Sequence, residues 1–159
     1  MFVRNRNNSN VVLLVYVDDI ILTWDNEDEL NNVKFFLNTK LLIKDLGKLN
    51  YFLGIEVLSI DKGVCLNQRK YCLELLHEYG MLGCKPLSTP LETNFIVSSG
   101  DTNEKDRLLE NKKKIQKLIG KLIYLTITRP DISYVVQVLS QYMHKPRKSH
   151  LKIAFRLLR

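Results

Sequence analysis

The sequence predicts an α+β fold, with strands and tight turns through residue 84 and helices over residues 112–159. Three observations carry this prediction. β-branched and aromatic residues fill Val11-Val12-Leu13-Leu14-Val15-Tyr16-Val17, run into Asp18-Asp19 and resume at Ile20-Ile21-Leu22, which reads as two buried strands joined by a turn. Later apolar residues recur at three- and four-residue spacing, as one buried helix face requires. Between these regimes, residues 85–111 shift to Pro, Ser, Thr, Asn and charged residues, the composition of a surface linker. The chain therefore divides into a strand-rich part at 1–84, a linker at 85–111 and a helical part at 112–159.

Each element follows from local chemistry. Asp25-Asn26-Glu27-Asp28-Glu29 supplies a cap and an acidic first turn for a helix whose buried face is Leu30, Val33, Phe36 and Leu37. The same acids lack the alternating oxygen ligands and sixth-position glycine of a calcium loop. Leu41–Ile43 reads as a short strand, and Lys44-Asp45-Leu46-Gly47 as a turn. Tyr51–Leu58 reads as a strand paired through Asp61-Lys62-Gly63 with Val64-Cys65-Leu66. Asn67 can cap a helix to about Tyr79, with Tyr71, Leu75 and Leu76 on one side and Gly80 as its stop. Pro86 and Pro90 prevent a continuous helix in the linker. Helices follow at Lys112–Thr126, from Pro130 to Pro146, and from Arg147 onward, the last still amphipathic at Arg159, which suggests a fragment.

Charge is unevenly spread over the chain, whose net charge is +7. Residues 1–84 carry 9 Lys/Arg against 11 Asp/Glu, and residues 85–159 carry 15 against 6. The second part has the electrostatic footprint of a polyanion binder, though a solvated basic helical surface looks alike at this level. Cys65, Cys72 and Cys84 form no CxxC pair, which points to free thiols in a reducing, intracellular compartment without structural zinc. No apolar stretch reaches membrane-spanning length. Residues 1–10 are acid-free and faintly resemble an organellar targeting peptide. Two adjacent ionised aspartates repel each other, a cost that a bound divalent cation or a solvent-exposed turn relieves.

Tyr16-Val17-Asp18-Asp19 matches the Tyr-x-Asp-Asp box of reverse transcriptases. Longer strings extend the likeness: YVDDIIL (16–22), IKDLGKLNYFLGIEV (43–57), LNQRKYCLELLHEYGMLGCKP (66–86) and LIGKLIYLTITRPDISYVVQVLSQYMH (118–144). In this order they resemble the reverse transcriptase of copia-type retrotransposons, and the chain is also similar to plant copia-derived open reading frames, some described as uncharacterised mitochondrial proteins. The resemblance implies a partial palm with a primer-grip hairpin at 1–84 and thumb-like helices at 112–159. It makes Asp18 and Asp19 metal-binding carboxylates for Mg²⁺, with Tyr16 at the edge of the same site. Leu53-Gly54 resembles the primer grip, where backbone positions the primer end; a strand glycine easing a twist is the competing reading of Gly54. Lys44 resembles a palm lysine placed for the departing pyrophosphate, although a solvated surface lysine is the plainer reading.

Residues 115–122 closely resemble the thumb helix that follows a duplex minor groove. Gln116, Gly120 and Tyr124 share one side of it, beside Lys117 and Lys121. A mid-helix glycine costs about 1 kcal/mol against alanine, so it calls for close approach of an RNA–DNA or DNA duplex or for tight helix packing; the lysines favour the duplex. Ile115 stands where copia-type elements commonly have Tyr.

The family's further palm aspartate lies well upstream of its box, whereas residues 1–17 contain no Asp or Glu. Glu56 and Asp61 belong to the primer-grip hairpin and do not replace it. The resulting expectation is a fragment of an RNA-directed DNA polymerase, inactive alone, whose missing strands and fingers a complementing chain could supply. A non-catalytic nucleic-acid-binding module and an inert retroelement relic are the alternatives. The retroelement likeness points to cytoplasm or nucleus, with a mitochondrial location also open.

Overall fold

The apolar run from Val11 forms the middle strand of a three-stranded antiparallel sheet. In the computed structural model, which describes residues 1–6, 9–88 and 106–159, this sheet comprises β1 (Phe2–Arg6), β2 (Ser9–Tyr16) and β3 (Asp19–Trp24) in that order. Leu13 pairs with Phe2 on one side and Leu22 on the other. Within the acid-free start of the chain, Phe2–Arg6 forms strand β1, because Phe2-Val3 has the period and bulk to pair with Val12-Leu13. Asp25 ties β2 to the following helix: its carboxylate accepts from Ser9 Oγ and the Asn10 N–H, each at 2.9 Å.

Helix α1 (Glu27–Lys40) starts where its cap dictates, with Asn26 Oδ1 accepting the Asp28 N–H at 2.9 Å and three acids in the first turn. It packs on β2 and β3. Only Leu30 of the expected face is buried; Val33 and Leu37 are half-buried and Phe36 is exposed. Leu41–Ile43, expected as a strand, is irregular: the Leu41 N–H closes α1 on Leu37 O, and Leu42 is fully exposed. The expected burial of the β2 and β3 arms is also not met. Val11 is buried, but Leu14, Val15, Tyr16, Val17 and Trp24 are exposed, since α1 covers only part of the sheet.

These elements make up one compact unit, Met1–Asn50; Tyr51–Arg159 forms another. The second unit opens with a meander of β4 (Tyr51–Phe52), β5 (Ile55–Ile60) and β6 (Gly63–Asn67). Tyr51–Leu58 is thus not one strand. It folds back at Leu53-Gly54, whose φ values of 50° and 83° belong to a tight two-residue hairpin. Asn67 Oδ1 accepts the Arg69 N–H and starts α2 (Arg69–Glu78), which Gly80 ends at φ 66°.

Helices α3 (Lys112–Leu125), α4 (Ser133–Gln141) and α5 (Lys148–Leu157) follow, with a 3₁₀ turn at Pro130–Ile132 before α4. Their apolar stripes meet in one core: Leu118, Leu122, Leu139 and Ala154 have no exposed surface, and Leu75 of α2 joins them. That packing sets the division after Asn50, whereas composition alone places a boundary at residue 84. Helix α4 ends at Gln141 rather than Pro146, and α5 ends at Leu157, where Leu158 caps it, rather than running through Arg159. Most of the expected linker lies outside the described residues. Its described flanks are pinned, Leu87 N–H to Arg159 O and Leu109 N–H to Pro146 O, each at 2.9 Å.

Candidate functional site

The β2–β3 register opposes Tyr16 to Asp19, which leaves Val17 and Asp18 as the two residues of the turn. Val17 has φ 51° and is 80% exposed. A β-branched residue in this region is a genuine outlier and stores about 1–3 kcal/mol of strain. The hairpin thereby presents two consecutive carboxylates, Asp18 in the turn and Asp19 at the head of β3, both exposed. Tyr16, half exposed, sits directly across from Asp19. Carboxylate oxygens are the hard donors that Mg²⁺ takes. Among the described residues no group of three or more His, Cys, Asp or Glu side chains gathers to hold a metal ion. The donor chemistry fits Mg²⁺, with the balance of its coordination left to other oxygens.

In the second unit, a web of hydrogen bonds fixes the Leu53-Gly54 turn. The Tyr124 hydroxyl donates to Leu53 O, and a Cβ on Gly54 would lie 3.5 Å from the Tyr124 ring. Tyr71 packs edge-on to Tyr124 with ring centres 5.1 Å apart, and its hydroxyl donates to Lys121 O at 3.1 Å. Burial, then the neighbouring Tyr124, pushes the Tyr71 phenol above its usual range. Gln68 joins this web, donating to Tyr124 O and accepting from Thr128 Oγ1 at 2.8 Å. Gly54 is therefore a turn glycine at φ 83°, not a strand glycine easing a twist. Tyr124, half-buried, braces the hairpin through its hydroxyl.

Helix α3 carries the remaining sequence candidates. Gln116 donates to Met143 O at 3.0 Å. Lys117 and Lys121 both pair with Glu78 of α2, the former at 2.8 Å. The hydrogen bonds from Lys117 and Lys121 hold the Glu78 carboxyl below its usual range, and Glu78 raises Lys117 in turn. Gly120 is exposed, and a Cβ there would meet nothing within 4 Å. Tight helix packing thus fails as its explanation. Ile115 is buried in the core, and Lys44 is exposed on the irregular segment after α1. Sequence reasoning did not find Gln68, Tyr71, Glu78 or Thr128, because their roles depend on partners 39 or more residues away.

A hairpin bearing paired carboxylates, followed by a helix and a meander, defines a reverse-transcriptase-like domain. Residues 1–93 match the reverse transcriptase (RNA-dependent DNA polymerase) family, and the chain belongs to it. Its relatives are copia-type Pol polyproteins and related reading frames. The chain is 40% identical over all its 159 residues to the retrovirus-related Pol polyprotein from transposon RE1 of Arabidopsis thaliana, of which it spans 11%. It is 41% identical over 147 residues to an uncharacterized mitochondrial protein of the same plant, covering 92% of this chain and 59% of that protein. To the Pol polyprotein from transposon TNT 1-94 of Nicotiana tabacum it is 29% identical over 163 residues, 99% of this chain and 12% of the polyprotein. No solved structure matches. Among the described residues no helix is long and apolar enough to cross a membrane.

Proposed function

We propose that this chain is the part of a copia-type reverse transcriptase that carries the metal-binding hairpin of the palm, the primer-grip turn and a thumb-like helix. By itself it holds primer–template duplex without extending it. The observation that carries this reading is the Tyr16–Asp19 hairpin, where a left-handed Val17 sets two exposed carboxylates side by side. Strain held at such a position is characteristic of ligand-binding turns. Asp18 and Asp19 would hold Mg²⁺, which when bound supplies positive charge to activate a primer hydroxyl and stabilise a departing pyrophosphate. Leu53-Gly54, braced by Tyr124, offers backbone to the primer end. The α3 face around Gly120, with Lys112, Lys113 and Lys114 in its first turn, offers a close approach to a duplex groove. Lys117 and Lys121 add charge at the edge of that face, moderated by Glu78.

Two carboxylates hold Mg²⁺ weakly, and two-metal transfer needs further acids from another strand. A complementing palm and fingers segment would provide them and would cover the exposed apolar side chains of β2 and β3. Primer extension on a homopolymer template with Mg²⁺ or Mn²⁺ tests the catalytic half, and no incorporation by the chain alone is expected. Processive incorporation refutes it. Titration of an RNA–DNA duplex across a salt series tests the binding half, and affinity is expected to fall as salt rises. Absence of duplex binding leaves the inert-relic reading in its place.

A further inference from the structure

A cleft of about 540 Å³ opens in the second unit between the end of α2, the start of α3 and α5. Tyr79, Leu109, Leu151 and Phe155 wall it, with Ile115 and Leu118 of the core at its base. Each of these wall residues is only half-buried, so apolar surface remains accessible along the cleft. Tyr79 and Phe155 meet edge-on with ring centres 6.2 Å apart and form an aromatic corner. The polar groups left over in the lining are donors. Glu78, its one acid, already accepts from Lys117 and pairs with Lys121. Lys114 is exposed and pairs with no carboxylate among the described residues. The Asn111 carboxamide spends its oxygen on the Lys114 N–H at 3.3 Å, and its own N–H donors have no partner among the described residues.

We propose that this cleft binds a small aromatic carboxylate, with the ring system against Phe155 and Tyr79 and the negative charge drawn to Lys114 and Asn111. Its volume lies within the range of small-molecule sites, which combine mainly apolar, aromatic walls with a few placed polar groups. The walls reward a ring body. An unpaired ammonium beside them rewards a single negative charge, and partial burial strengthens that attraction. The first turn of α3 holds Lys112, Lys113 and Lys114 and no acid, so a bound anion also relieves cations that oppose the helix dipole. A cationic ligand would meet Lys114 with no free carboxylate to answer it, and a phosphate backbone would use Lys114 and leave the walls bare. The walls take no part in the duplex reading above and the test contains no nucleic acid, so either can fail alone.

The test titrates the isotope-labelled full chain with naphthoate and, separately, with the neutral naphthylmethanol, following backbone amide shifts by NMR. Saturable shifts are expected at Tyr79, Leu109, Leu151 and Phe155, with naphthoate bound about tenfold more tightly than the alcohol, the share of one charge-assisted hydrogen bond. Lys114→Gln changes an exposed residue and is expected to keep the far-ultraviolet circular dichroism of the wild type. It should weaken naphthoate about tenfold and leave the alcohol unchanged. Absence of shifts at the wall residues overturns the proposal, as do shifts confined to β2 and β3, whose apolar side chains are exposed. Equal affinity for the two probes, or equal naphthoate affinity in wild type and variant, overturns it too. Wall-residue shifts that follow protein concentration without any probe assign the cleft to a second copy of the chain and likewise overturn it.

Discussion

Replacing Gly120 by Ala should move stability and duplex binding in opposite directions. Gly120 lies inside α3, exposed, and an added Cβ would meet nothing within 4 Å beyond its own helix. Without a steric penalty, the substitution recovers the helix-propensity difference of about 1 kcal/mol. That is roughly a fivefold gain in the folding equilibrium and a rise in Tm of about 2–5 °C. Urea unfolding followed by far-ultraviolet circular dichroism reads the first effect. If the glycine exists to admit a duplex backbone, the same methyl intrudes on that approach, and an overpacking cost of about 1–3 kcal/mol weakens duplex affinity about fivefold or more. Fluorescence anisotropy with an RNA–DNA duplex reads the second. A stability gain with unchanged affinity refutes the duplex role of Gly120. A stability loss refutes the claim that the site is open.

Val17→Asn should stabilise the β2–β3 hairpin by about 1 kcal/mol, because asparagine tolerates the left-handed backbone that valine does not; a lower urea midpoint would contradict the strain reading. Leu118→Ala removes a fully buried core side chain and should cost about 2–5 kcal/mol in urea unfolding. His150 is buried, its Nδ1 accepts the Arg147 N–H, and burial lowers its pKa while Asp106 partly opposes this. Its folded pKa lies below the unfolded value of about 6.5, so the unfolded chain binds the proton first and stability should fall as pH drops from there. His150→Asn should flatten this part of the stability–pH curve measured between pH of about 7.5 and 5.5.

How much of this was legible follows from the range of each interaction. Caps and stops act within a few residues, so Asn26, Asn67, Gly80 and Pro130 mark the helix starts and stops to within a residue or two. The carboxylate hairpin was legible for the same reason. Residue patterning alone reads Leu53-Gly54 as strand interior, because YFLGIEV is apolar and β-prone throughout and the reversal rests on two positive φ values that no Asn-Gly or Asp-Gly pair announces; only the resemblance to a primer-grip hairpin pointed to a turn there. Leu41–Ile43 had the composition of a strand but gained no partner among the described residues, and pairing rather than propensity makes a strand. The poor burial of β2 was invisible too, since an apolar sequence states what a surface prefers and not what covers it.

Charge shows the same limit at the candidate site. Counting Lys and Arg gives a basic C-terminal half, and helical spacing groups Gln116, Gly120 and Tyr124. Spacing could not say which groups remain available to a ligand. Glu78, 39 residues before Lys117, takes up two of the lysines expected to face a duplex, Met143 O takes Gln116, and Leu53 O takes Tyr124. What remains open on α3 is Gly120 and the first-turn lysines, while Lys148 and Lys152 of α5 are exposed and pair with no carboxylate among the described residues. Internal pairing thus shifts the surface charge from the helix that motif matching favours to the one it passes over. Affinity for nucleic acid should accordingly respond less to removal of Lys117 or Lys121 than to removal of Lys148 and Lys152, because only the second pair leaves no partnered carboxylate behind.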